Sequence, residues 1–72
     1  MTDTKTLEAI IERKGLKKKY LADQLGLSAY GLALKLKGKN EFKSGEIVKL
    51  SRLLGVATPE KVCSIFFSHE LD

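Results

Sequence analysis

Residues 21–32 read Leu21-Ala22-Asp23-Gln24-Leu25-Gly26-Leu27-Ser28-Ala29-Tyr30-Gly31-Leu32, and the order of residue types in this stretch decides the fold. Leu21, Ala22 and Leu25 recur at helical spacing. Gly26 follows as a stop, because it accepts positive φ without a Cβ penalty. Ser28 is a good N-cap for a second helix. Its apolar positions, Leu32 and Leu36, close a core beneath the pair together with Leu21, Leu25 and Leu27. Two helices that cross through so short a turn need a small residue where they approach closest, and Ala22 stands there.

The segment Leu32-Ala33-Leu34-Lys35-Leu36-Lys37 alternates apolar and polar residues imperfectly, a pattern that also suits a strand. Leu, Ala and Lys are strong helix formers and none is β-branched, so a helix is expected. It runs from the Ser28 cap to about Lys37, with Gly38 beyond its end.

Outward from this pair the chain reads as three more short helices. Leu7, Ile10 and Ile11 form the apolar stripe of a first helix that ends near Gly15. A fourth begins after Ser44, with Glu46 in its first turn and Ile47, Leu50, Leu53 and Leu54 inward, and stops at Gly55. Thr58-Pro59-Glu60 opens a fifth with an N-cap, a proline at the first helical position and an acid at the positive dipole end. Val62, Ile65 and Phe66 are its buried face. The expectation is one all-α domain occupying residues 1–72, with an ordered core over about 4–67 and no repeat or linker.

The 72 residues are 43% hydrophobic, enough for one modest core. A lone cysteine, Cys63, excludes an internal disulfide; it is expected on the buried side or flank of the last helix as an inert small hydrophobe. No apolar run approaches the ~18 residues of a membrane span, and the first residues lack an apolar signal core. A soluble, cytoplasmic protein is therefore expected. Of the net charge of +4, residues 13–43 alone carry +7, from nine basic residues against Asp23 and Glu41. The flanks are slightly acidic, so the charge marks a localised polyanion-binding face.

The segment around residues 18–37, with Lys35-Leu36-Lys37-Gly38-Lys39, Phe42-Lys43-Ser44-Gly45-Glu46-Ile47 and Leu53-Leu54-Gly55-Val56 after it, resembles the Cro/lambda-repressor-like helix-turn-helix family. The ending Val62-Cys63-Ser64-Ile65-Phe66-Phe67 is similar to the last helix of small Cro-like or repressor proteins from phages and prophages of Gram-positive hosts. The resemblance covers roughly residues 6–67. It implies a five-helix, lambda-repressor-like DNA-binding domain, a double-stranded operator as partner and a role in transcription regulation. It also implies that the second helix of the motif enters the major groove.

By resemblance, Ser28, Ala29, Tyr30 and Ala33 are the base-reading positions. At 3.6 residues per turn Tyr30, Ala33, Leu34 and Lys37 share the side opposite Leu32 and Leu36. This set lacks the Arg, Gln and Asn that make bidentate base contacts, so shape readout is expected to carry a larger share of specificity. Lys17, Lys18 and Lys19 open the first helix of the motif, where the family has a Ser or Thr cap. Cations at that end cost about 0.3–1 kcal/mol each, a cost that makes sense if a phosphate sits there. Lys37, Lys39, Asn40 and Lys43 are the expected phosphate contacts on the other side of the groove.

Two copies are expected on a pseudo-palindromic site, with the last helix and tail as the dimer surface, because Phe66 and Phe67 cannot both face one core. The rival readings are an antitoxin-type regulator on the same fold, or a protein-binding module that uses Tyr30 and Leu34. No enzyme, cofactor or metal is expected. His69 and Cys63 lack the partners that a metal or Cys-His site needs, and the Gly31 to Gly38-Lys39 spacing is too long for a phosphate loop.

Overall fold

The computed structural model describes residues 1–56 and 58–67 as five α-helices, with no strand among them. They are α1 (Thr4–Lys14), α2 (Lys18–Leu25), α3 (Ala29–Leu36), α4 (Ser44–Leu54) and α5 (Pro59–Phe66). The all-α, five-helix expectation holds. His69 and the rest of the expected tail surface beyond Phe67 lie outside the described residues.

Four of the five helix starts have a local cause. Asp3 caps α1: its carboxylate accepts from the Thr6 backbone N–H at 3.1 Å and from the Thr6 hydroxyl at 2.7 Å. The hydroxyl bond foremost, with the amide bond beside it, holds the Asp3 carboxyl below the ordinary carboxylate range. Ser28 Oγ accepts from Gly31 N–H at 2.9 Å and Thr58 Oγ1 from Lys61 N–H at 3.3 Å, so both expected caps are made. Lys17, at the N-cap of α2, is extended and makes no side-chain cap bond, so this start has no side-chain cap. α4 begins at Ser44 itself, and Lys43 takes the N-cap position.

The turn between α2 and α3 depends on Gly26 at φ 70°. That conformation lets Leu27 N–H reach back to Ala22 O at 2.9 Å and turn the chain into Ser28. α3 ends one residue short of expectation, with Lys37 as its C-cap. Gly38 at φ 77° then allows Lys39 N–H to bond Leu34 O at 2.9 Å.

The expected faces meet in one core. Leu7 and Ile11 of α1, Leu21 and Ala22 of α2, and Leu32 and Leu36 of α3 are buried. Ile47, Leu50 and Leu54 of α4 and Ile65 and Phe66 of α5 complete it, with Ile10, Leu25, Leu27, Leu53 and Val62 half-buried around it. Phe42, in the loop before α4, is a further core member that periodicity misses. Its ring meets Phe66 edge to face, 5.7 Å between centroids. Asp3 N–H donates to Ile65 O at 2.6 Å, so the end of α5 is tied to the start of α1. Cys63, by contrast, is exposed: Val62, Ile65 and Phe66 occupy the inward stripe and position 63 falls outside it.

Ser51 is buried on α4, and its hydroxyl has no hydrogen-bond partner among the described residues. An unsatisfied buried hydroxyl costs about 1–3 kcal/mol, and alanine is the better helix former. Ser51→Ala is therefore expected to stabilise the fold by about 1 kcal/mol in urea unfolding. A lower midpoint for the variant would show that the hydroxyl is satisfied in solution.

Candidate nucleic-acid interface

The eight residues of α3 span about 12 Å, close to the width of a DNA major groove. Leu32 and Leu36 anchor the helix to the core, and its first turn faces solvent. Ser28 and Ala29 are exposed, and Tyr30 is 74% exposed, the most open aromatic side chain among the described residues. Gly31 leaves room for the cap, since a Cβ there would lie 3.1 Å from Ser28 Oγ. Ala33 and Leu34 are half-buried, so the outer face is open at its leading end and narrows along its length.

Lys17, Lys18 and Lys19 are all exposed at the start of α2, and no acid stands in its first turn. Lys18 Nζ lies 2.9 Å from Glu8 Oε1 of α1, both side chains open to water at 58% and 41%. So exposed a pair contributes about 0–1 kcal/mol, and breaking it to free Lys18 costs little. Lys37, Lys39, Asn40 and Lys43 are exposed between α3 and α4. All seven expected phosphate-contact positions thus reach solvent, together with three of the four expected base-reading positions.

Lys35 departs from the expected basic centre. It is buried on α3, and its ammonium pairs with Glu46 Oε1 on α4. Eight of the nine cations between residues 13 and 43 therefore remain exposed. The same Glu46 oxygen accepts from Lys43 N–H at 2.9 Å, so one carboxylate caps α4 and neutralises α3. Lys35 Nζ also lies 5.8 Å from the Phe42 ring centroid. Helical projection missed this because Lys35 sits beside the Leu32–Leu36 stripe. The signal in the sequence was Glu46, an acid whose position in the first turn of α4 had a dipole explanation of its own.

Burial pushes the Glu46 carboxyl up, but the Lys35 bond, the Lys43 amide and both positive charges together outweigh it. Its pKa therefore lies below the ordinary carboxylate value of 4.5. Among the described residues no group of three or more His, Cys, Asp or Glu is placed to hold a metal ion. No helix is long and apolar enough to cross a membrane. In comparisons with known proteins, no family model, no curated protein and no solved structure matches the chain.

The lowered folded-state pKa sets the sign of a pH effect. Glu46 contributes stability that is present above its unfolded value and lost as pH falls through the lower folded value. Wild-type unfolding midpoints are thus expected to fall as pH drops below about 4.5, and Glu46→Gln to flatten that part of the profile. Glu46→Ala strands the Lys35 charge in a site where the two side chains are only 9% and 12% exposed. It should cost about 3–5 kcal/mol at neutral pH. A loss under 1 kcal/mol would mean that the ammonium escapes to water.

Proposed function

We propose that this chain is a sequence-specific, double-stranded-DNA-binding regulator of the lambda-repressor-like helix-turn-helix type, acting as a phage- or prophage-type Cro-like protein or repressor. One observation carries the reading: a short helix with an open leading end stands between two groups of exposed lysines, with its other side locked in the core. In the proposed complex α3 enters the major groove, and Ser28, Ala29, Tyr30 and Ala33 meet base edges. The Tyr30 hydroxyl donates to or accepts from a base or phosphate, and the methyls of Ala29 and Ala33 pack on thymine methyls. Lys17, Lys18 and Lys19 take phosphates together with the free N–H groups of α2. Lys37, Lys39, Asn40 and Lys43 take phosphates on the far side.

One copy offers a small footprint, so the proposed unit on DNA is a homodimer on two half-sites about 10 base pairs apart. Two of the domain's three dimensions, 25 and 22 Å, are smaller than the roughly 34 Å of one helical turn, in keeping with that spacing. Phe67, half exposed at the end of α5, is the proposed contribution of the last helix to the dimer surface.

If each copy neutralises about four to five phosphates, log affinity of the dimer should fall with log salt at a slope near −7 to −9. A slope near zero, or no binding at low salt, would overturn the reading and favour a protein-binding face at Tyr30 and Leu34. Selection from a random duplex pool is expected to return an inverted repeat. Tyr30→Ala should change the selected bases, whereas Lys18→Ala should weaken every sequence alike and reduce the salt slope by about 1 per copy. Recovery of single half-sites would exclude the dimer, and a uniform loss for Tyr30→Ala would make it a positioning residue only.

A further inference from the structure

An open cleft of about 520 Å³ lies between the C-terminal ends of α1 and α4 and the first turn of α5. Ile10 and Val56 supply its apolar surface over buried Leu54, and Arg13, Lys14 and Lys61 its charge; no acid among the described residues lines it. Arg13 and Lys14 belong to the basic centre, but none of the lining residues is among the proposed base or phosphate contacts.

The three cations are not equivalent. Lys14 Nζ lies 3.4 Å from where a Cβ on Gly55 would stand, over the C-terminal end of α4, and Arg13 occupies the last turn of its own helix. Both are matched by the negative ends of helix dipoles. Lys61 has no such explanation. It stands in the first turn of α5, where the dipole favours an acid. None of the three makes an ion pair among the described residues. The cleft thus combines the half-buried aliphatic side chains of Ile10 and Val56, over buried Leu54, with a positive rim, one member of which has neither an ion pair nor a favourable helix end among the described residues.

We propose that this cleft docks an acidic segment of a partner protein, with one aliphatic side chain on Ile10 and Val56 and carboxylates on either side reaching Arg13 and Lys61. Charge complementarity selects an acidic partner, and the aliphatic surface selects a peptide over a bare phosphate chain, which has nothing to place there. The volume lies in the range of sites that hold small ligands.

The test is an amide-resolved NMR titration of the full chain with a blocked Glu-Asp-Leu-Asp-Glu peptide. Shifts are expected at Gly15, Gly55, Val56 and Lys61. Replacing the peptide's leucine by serine should weaken binding, and Lys61→Glu should weaken it about tenfold or more through like-charge repulsion. That variant is expected to fold, because it places Glu three residues after the Thr58 cap and completes a capping box; its own spectrum verifies this. Absence of shifts, shifts confined to Lys17–Lys19, or undiminished binding to Lys61→Glu would each overturn the proposal. Movement of the same cleft amides by a short DNA duplex would assign the cleft to nucleic acid and overturn it equally.

Discussion

The orientation of α3 depends on the buried contact between Lys35 and Glu46. Eight residues are too few for a helix to hold itself in water, so tertiary contacts must supply both its order and its direction. Leu32 and Leu36 bury one side, but apolar contacts alone tolerate rotation and sliding. The ion pair does not, because any displacement leaves an ammonium and a carboxylate facing each other's empty place in a low-dielectric site. Glu46 is itself held, since it also accepts from Lys43 N–H at the start of α4. Phe42 lies between this pair and Phe66, and so the position of α3 is referred through one aromatic contact to α5.

A second regularity concerns where capping is made and where it is omitted. α1, α3 and α5 each begin with a side-chain oxygen on a backbone N–H, from Asp3, Ser28 and Thr58. α4 uses Glu46 in reverse. α2 alone begins with neither, and the residues there are three lysines in a row. A Ser or Thr cap is typically worth about 1 kcal/mol and is available to any sequence. On the proposed reading, its omission beside an unfavourable run of cations is offset by an anion from outside that takes the free N–H groups. The proposed phosphate does so with charge as well as geometry.

The helices were legible because their signals are local: stripes at 3.6-residue spacing, Ser28 and Thr58 as starts, Gly15, Gly26 and Gly55 as stops. Asp3 and Phe42 were not, since a cap ahead of the first stripe and a single aromatic in a loop form no period. Of the candidate site, exposure at Ser28, Ala29, Tyr30 and the seven phosphate positions followed from projecting one helix and counting charge. Lys35 was misplaced for a physical reason. A charge count treats every lysine as solvated, and only the approach of a different helix, bringing Glu46, makes burial of this one tolerable. The same blindness put Cys63 on the buried side or flank: its neighbours Val62 and Phe66 are half-buried and buried, and a flank position is decided by what packs against it.

The sparse chemistry at the open end of α3 and the rigid seating of that helix fit each other. A reader rich in Arg or Gln can tolerate some play, because long side chains adjust to find their hydrogen bonds. Ala29 and Ala33 cannot adjust, for a methyl group discriminates only if the backbone behind it is placed to a fraction of an ångström. On the proposed reading, two alanines and one tyrosine distinguish sequences only because Lys35 and Glu46 prevent the helix from shifting to accommodate a poor match. Part of the discrimination then lies in the duplex, which must bend or narrow to meet a surface that does not yield. On the same reading the exposed lysines supply affinity without sequence preference, and burying the ninth cation adds to the rigidity through which the small side chains act.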